Sequence, residues 1–318
     1  MSLSSNIAIR RLARFGLTTA DAERLAAFYN SVFGFRVVSV DRVFGAHFER
    51  LMGAEGGATR VILALGDEAL ELLEFDAPGA PYPSGASSSD LVFQHFAIVT
   101  ANIDRAFDKL SRNSEWSSIS LGGPQRLPES SGGVSAFKFR DPEGHPLELL
   151  AFPDNNLPSR WNVRPRTDLC LGIDHSAICV SDSACSIASY ESFGLRTSAR
   201  SLNRGSEQAR LDGLSDPCVE VTALSPMQRT PHVELLCYRS GISKPSIVLR
   251  NNDVAATRLV FEIDVPSFGQ SASVMPREIL DFDGHRLLML PRIASAHRCD
   301  LFQNGPTRPT RRATGTRQ

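Results

Sequence analysis

The chain has 318 residues, 42% of them hydrophobic and 22% charged, with a formal net charge of -1 at pH 7. That length holds two domains of ordinary size with enough core to fold without staples, and near neutrality argues against nucleic acid or another polyanion as partner of the whole protein. Residues Met1 to Asn6 lack a basic segment followed by an apolar core. No run approaches the roughly twenty apolar residues of a membrane span, so a soluble cytoplasmic protein with no membrane partner is expected, as monomer or homodimer. The six cysteines, Cys170, Cys179, Cys185, Cys218, Cys237 and Cys299, contain no C-x-x-C pair, which suits buried thiols better than a disulfide framework.

In chain order, a strand is predicted over Arg11 to Thr18, followed by a helix that Thr19 or Asp21 caps. Ala22, Leu25, Ala26, Tyr29 and Val32 share one face of that helix at helical spacing, and Gly34 ends it as a left-handed glycine. Strands follow at Arg36 to Val43, Arg60 to Leu65 and Ala69 to Phe75. After a loop rich in Pro, Gly and Ser, the order returns with a strand at Val92 to Val99 and a helix at Ile103 to Ser111. Two further strands, Ala136 to Arg140 and Leu147 to Phe152, flank the turn Asp141-Pro142-Glu143-Gly144. A third unit opens on Gly172 to Val180, continues with a helix near Ser183 to Phe193 and closes on His232 to Tyr238. The fourth is shorter: its first strand, Thr257 to Val265, leads through Pro266 to Gln270 toward a second hairpin at Asp281-Phe282-Asp283-Gly284-His285.

Arg14, His95, His175 and Arg258 occupy equivalent places in the four opening strands, about eighty residues apart, so the chain is a fourfold β-α-β-β-β repeat. The matching residues of the closing strands are Glu71, Glu148, Glu234 and Leu288. Glu148 sits inside the apolar run Leu147 to Phe152, where a core-facing carboxylate costs several kcal/mol unless a cation or hydrogen bonds meet it. Boundaries follow from the repeat: residues 1–156 hold modules 10–76 and 92–152, residues 157–294 hold modules 171–238 and 254–292, and residues 295–318 form a basic tail expected to be disordered.

Four such modules, with His on a first strand and Glu on a last, resemble the vicinal oxygen chelate superfamily of glyoxalase I, bleomycin-resistance proteins and extradiol dioxygenases. The resemblance implies an α+β fold in which modules pair into two cup-shaped half-barrels. It also implies a divalent ion (Zn, Fe, Mn, Co or Ni) in a cup, and carries His95, Glu148, His175 and Glu234 over as its ligands. Imidazole and carboxylate suit such ions, whereas a guanidinium offers no lone pair, so Arg14 and Arg258 exclude complete sites where they stand.

Two pairings are open. Modules one with two and three with four would leave Glu71, His95 and Glu148 in one cup; modules two with three and one with four would gather all four ligands in one cup and every substituted position in the other. The second is the simpler account of where the substitutions fall. The resemblance implies a glyoxalase-like lyase or isomerase acting on a small substrate with vicinal oxygens, with Glu148 as its catalytic proton-transfer base. Its alternatives are a metal-dependent dioxygenase and a non-catalytic, resistance-type binding protein. Glyoxalase I carries an Asn beyond a closing Glu for glutathione; here Leu149 to Phe152 and Leu235 to Tyr238 follow instead, which points to another substrate. Arg204, in a polar stretch from Asn203 to Gln208, is the candidate for meeting a substrate's anionic end. His145 and His285 are read as turn residues rather than ligands.

Overall fold

The computed structural model describes residues 8–162, 168–228, 231–239, 248–264, 275–292 and 303–304. Module one consists of β1 (Ala8–Thr18), α1 (Ala22–Phe33), β2 (Arg36–Phe44), α2 (Ala46–Met52), β3 (Ala58–Leu65) and β4 (Glu68–Phe75). Module two has β5 (Gln94–Thr100), α3 (Ile103–Ser111), the short β6 (Ser117–Ser118) and β7 (Gln125–Arg126), then β8 (Ser135–Arg140) and β9 (Pro146–Ala151). After α4 (Ser159–Asn162), module three runs through β10 (Cys170–Cys179), α5 (Ser183–Ser192), β11 (Arg196–Arg204), α6 (Ser206–Asp212), β12 (Cys218–Ser225) and β13 (His232–Tyr238). Module four contributes β14 (Arg258–Asp264), β15 (Arg277–Leu280) and β16 (Arg286–Pro291), and β17 (Gln303–Asn304) pairs with β2.

The long helices start where expected. Asp21, Asn102 and Asp182 each accept a hydrogen bond from a backbone N–H of the first turn, which satisfies a donor that has no partner inside the helix. Gly34 ends α1 at φ 79°, a conformation that residues with a Cβ resist. Of the segments expected from the sequence, Pro266 to Gln270 and nearly all of the basic tail lie outside the described residues. Among the described residues no helix is long and apolar enough to cross a membrane.

Two sheets are built, and each takes one module from each half of the chain. One has the strand order β15-β16-β14-β1-β4-β3-β2-β17, the other β11-β12-β13-β10-β5-β9-β8-β6. Modules one and four therefore share a sheet through the antiparallel pair β1 and β14, and modules two and three share the other through β5 and β10. The boundary near residue 156 divides the sequence without dividing the sheets. One apolar core lies between them: Phe15 of β1 stacks obliquely on Phe96 of β5 with centroids 5.6 Å apart, and the inner faces of α1, α3 and α5 join the same cluster.

The two hairpin turns lock one sheet to the other. In the first, Asp141 Oδ2 lies 2.8 Å from His145 Nδ1 and accepts from Tyr29 Oη of α1 at 2.9 Å. His145 Nε2 faces the backbone carbonyls of Thr18, at the end of β1, and Val254, at 3.0 and 3.1 Å. Both ring nitrogens thus face acceptors, which only the doubly protonated ring can satisfy as a donor. The second hairpin repeats the device toward the opposite sheet: Tyr190 of α5 donates to Asp281, and His285 Nε2 donates to the Cys179 carbonyl at the end of β10. The expectation that these histidines serve the turns is met, and each also ties together two sheets.

The cup of modules one and four is filled. Phe48 and Met52 of α2 pack there with Val260, Leu288, Leu73 and Phe75. Arg14 Nε lies 3.1 Å from Glu71 Oε2, and Arg258, fully buried at 0% exposure, donates to Thr18 Oγ1 and to the carbonyls of Asn251 and Ala256. Gly16, opposite Arg258 in the register, leaves room for that side chain: a Cβ there would stand 3.3 Å from Arg258 Cβ.

Two outcomes follow from these buried charges. Glu71→Gln removes the carboxylate that meets Arg14 and one of the two near Arg258, and should lower unfolding stability by about 3 kcal/mol, read by urea denaturation. Burial alone would lower the His145 pKa, but Asp141 outweighs it and raises the group above 6.5. A raised folded pKa means that its stabilisation is complete below pH 6.5 and is lost as pH rises through the folded value. The stability difference between wild type and His145→Ala, measured by denaturation at several pH values, should therefore shrink as pH rises.

Candidate metal centre

Strand pairing gathers the four predicted ligands in the other cup. His95 lies on β5 and His175 on β10, at the seam between modules two and three, with ring centroids 5.8 Å apart. Glu148 on β9 and Glu234 on β13 flank them, because β5 pairs in parallel with β9 and β10 with β13. His95 Nε2 is 2.8 Å from Glu148 Oε2, and His175 Nε2 is 4.0 Å from the same oxygen and 3.5 Å from Glu234 Oε2. His95 is 2% exposed, His175 5% and Glu148 7%.

Three of the four ring nitrogens nevertheless lack hydrogen bonds. Despite the short contact with Glu148, neither nitrogen of His95 has a partner at an acceptable angle, and His175 Nε2 has none. Buried polar atoms without partners are uncommon, and here the two Nε2 atoms face carboxylate oxygens around one common space. The donor set suits a divalent transition ion: imidazole nitrogens and carboxylate oxygens, with His95, Glu148 and His175 offering ligand atoms within 4.8 Å of one another. Charge agrees. The carboxylates Glu148, Glu234, Asp174 and Asp212 stand with two cations, Arg160 on Asp174 and Lys138 on Asp212, so neutral imidazoles would leave two negative charges.

The titration behaviour follows from that excess. Burial lowers the His95 pKa, and the nearness of Glu148 only partly offsets it. Burial also opposes protonation of His175, but Glu234, Asp174 and Glu148 outweigh it and raise the pKa to about 9. Glu148 is held below the usual range: burial works to raise it, and His95, Lys138 and His175 together win. Glu234 goes the same way, to about 2, with His175 the largest opposing influence to burial and His232 next. Both carboxylates are therefore ionised near neutral pH.

Other residues of this cup were not singled out in the sequence. Lys138 lies directly across from Glu148 in the β8 and β9 pair; its Nζ donates to Asp212 Oδ1 at 2.7 Å and lies 5.8 Å from the centre of the Phe93 ring. Tyr238 and Gln208 donate to the other oxygen of Asp212. Asp212 ends α6, whose Leu211 packs with Ala97, Ala136 and Leu150. On the far side of His175 stand Asp174 and His232, with His232 Nε2 3.4 Å from Glu234 Oε1. An alternating His-x-Glu on a strand already places His232 and Glu234 on one face, and that was the signal available.

The structure places Arg204 on the strand that leads into α6. It is exposed at the end of β11, and the stretch beyond it, expected as a polar segment between strands, is the start of α6. A surface groove beside α5, lined by Ser181, Ile187, Arg200, Glu220 and Cys237, holds none of the four predicted ligands.

The model of the Glyoxalase/Bleomycin resistance protein/Dioxygenase superfamily matches residues 11–149. Among solved structures, glyoxalase I from Zea mays resembles the chain at a TM-score of 0.52 with 15% identity, covering 90% of this chain and 93% of its own. A putative dioxygenase from Bacillus subtilis gives a TM-score of 0.52 with 10% identity, covering 89% of this chain and 86% of its own. At such identities the likeness is one of fold. No curated protein matches in sequence. Residues 11–149, which hold modules one and two, thus match the model of that superfamily, and the same modular fold extends across nearly the whole length of the chain.

Proposed function

We propose that the protein is a divalent-metal-dependent lyase or isomerase, glyoxalase-like in chemistry, acting on a small substrate that presents two neighbouring oxygens. The observation that carries this reading is the convergence of two buried imidazoles, without hydrogen bonds on the facing nitrogens, and two ionised carboxylates in one cup. His95, Glu148, His175 and Glu234 would hold the ion. When bound, a divalent ion supplies a Lewis acid that polarises substrate oxygens.

The chain's own residues supply the rest. Glu148 is the proton acceptor: it is ionised near neutral pH, and its Oε2 lies between the two histidines. Lys138, across the strand pair, keeps positive charge near that carboxylate without consuming it, because its own hydrogen bond goes to Asp212. The apolar walls given by Ala97, Ala177, Leu150 and Leu236 exclude water from the transfer, which strengthens each electrostatic contact.

Elemental analysis of protein purified without added chelator is the test. One equivalent of divalent metal in wild type, retained in Glu71→Gln and lost in His95→Ala and in His175→Ala, is the expected result; full occupancy in His175→Ala would remove the shared site. Binding must displace the proton that His175 holds, so affinity for Co²⁺ should rise with pH up to about 9 and then level off, as read by competition titration. Once a turnover assay exists, Glu148→Gln should lose on the order of 10² to 10⁴ in kcat while keeping most of its metal. Glu234→Gln should instead lose metal first.

A further inference from the structure

The two halves of the candidate centre are supported differently. Where β10 meets β5, Ile173 pairs with Ile98 and Ser176 with Phe96, so Asp174 and His175 share the space opposite Ala97. This extra residue is a bulge, and it turns two consecutive side chains toward each other where a regular strand would send them to opposite faces. Asp174 Oδ2 lies 3.0 Å from His175 Nδ1, while its other oxygen accepts from Arg160, whose guanidinium stacks on Trp161 at 4.1 Å. His232 is the register partner of His175 on β13, with ring centroids 5.3 Å apart. Its Nδ1 is 3.8 Å from Asp174 Oδ2, and its Nε2 approaches Glu234 Oε1, the oxygen that does not face His175.

Module two has no such frame. His95 Nδ1 is buried without a partner, and Gln94 and Pro146 stand where module three has Asp174 and His232. The cup of modules one and four offers an internal comparison. β1 bulges at the matching place, between Leu12 and Arg14, but the extra residue is Ala13, and Ala69 stands two residues before Glu71. The cup that lacks histidine ligands also lacks both polar supports.

Asp174, His175 and His232 lie close enough together to hold an ion of their own. Arg160 argues against that, because its guanidinium already occupies one oxygen of Asp174 and would repel a second cation.

We propose that Asp174 and His232 are positioning residues for the metal ligands of module three. Asp174 accepts the Nδ1–H of His175, which fixes the tautomer whose Nε2 lone pair faces Glu148 and Glu234. His232 donates Nε2–H to Glu234 Oε1 and leaves Oε2 for the ion. Module three is thereby a fixed anchor, and the carboxylate free to move is Glu148. This assignment rests on the metal reading above and extends it to the shell behind the ligands, where loss of such partners weakens metal binding about 10- to 100-fold.

The experiment uses metal-stripped full-length protein titrated with Co²⁺, following its visible absorption against a competing chelator. Asp174→Ala and His232→Ala should each weaken binding about 10- to 100-fold. Asp174→Asn, which keeps an acceptor for Nδ1–H, and His232→Gln, which keeps a donor for Glu234, should each recover most of that loss. A second readout needs no metal: nitrogen-15 NMR of the imidazoles at alkaline pH should find His175 as the Nδ1–H tautomer in wild type and as a tautomer mixture in Asp174→Ala. Wild type that binds no Co²⁺ would refute the metal reading, and an unchanged tautomer in Asp174→Ala would then overturn the positioning role as well. Wild type that binds, with Asp174→Ala binding equally well, overturns the positioning role alone. Should the alanine variants fail to fold, Asp174→Asn and His232→Gln decide: a folded Asp174→Asn with a tautomer mixture, or a folded His232→Gln with Co²⁺ binding as weak as that of His175→Ala, overturns it.

Discussion

A carboxylate buried on the concave face of a sheet must be met by positive charge, and the two cups of this protein meet that demand in different ways. Each cup brings two first-strand and two last-strand residues to one enclosed space, because each first strand pairs in parallel with the last strand of its own module. In the cup of modules one and four, guanidinium supplies the charge: Arg14 meets Glu71, and Arg258 adds a second cation close by. Even so, desolvation dominates for Arg258, whose pKa falls to about 10. In the other cup imidazole stands at the same positions, and neutral imidazole leaves the carboxylates short of charge. A proton on His175 meets half of that deficit, whereas a divalent ion would meet all of it and would also use the facing lone pairs.

The same contrast explains how the cups are packed. Arg258 reaches along its strand over Gly16, and α2 sends Phe48 and Met52 into the cup, so its interior is apolar packing around a neutralised charge cluster. In the cup of modules two and three the corresponding helix, α6, also enters, but it brings Asp212 for Lys138, Tyr238 and Gln208 to bind. One site has become structural, and the other keeps ionised groups in reserve near the histidines. Buried polar groups of this kind are retained at a cost in stability, which points to use rather than to packing.

Much of this was legible in the sequence because the fourfold spacing lined up Arg14, His95, His175 and Arg258 before any strand was placed. The crossed pairing was favoured from the distribution of substitutions alone, and β1 pairing with β14 and β5 with β10 agrees with it. Hydrophobic periodicity found α1, α3 and α5, but α2 and α6 escaped it. Each has seven residues and follows a glycine that provides no side-chain cap, so neither long periodicity nor a capping residue announces it. Asp174 was passed over for a related reason: beside His175 on a regular strand it would face the opposite side, and bulges leave little trace in one sequence.

Bulges also bear on why the two histidines of one centre need not be equivalent. At both seams one strand carries extra residues and its partner runs straight: β1 gains them against β14, and β10 gains them against β5, at matching places. The asymmetry is thus a property of the seam itself, present in a cup with histidine ligands and in one without. A straight strand presents one side chain to the cup at the ligand position, as β5 does with His95. A bulged strand presents two, and the second can hold the first in place. Ala13 in one cup leaves that opportunity unused, whereas Asp174 in the other takes it. The repeat therefore gives four equivalent ligand positions, but the seam gives support to only one histidine of the pair. A centre built on it would have its supported side on module three, where Asp174 and His232 stand behind His175 and Glu234, and its unsupported side on module two.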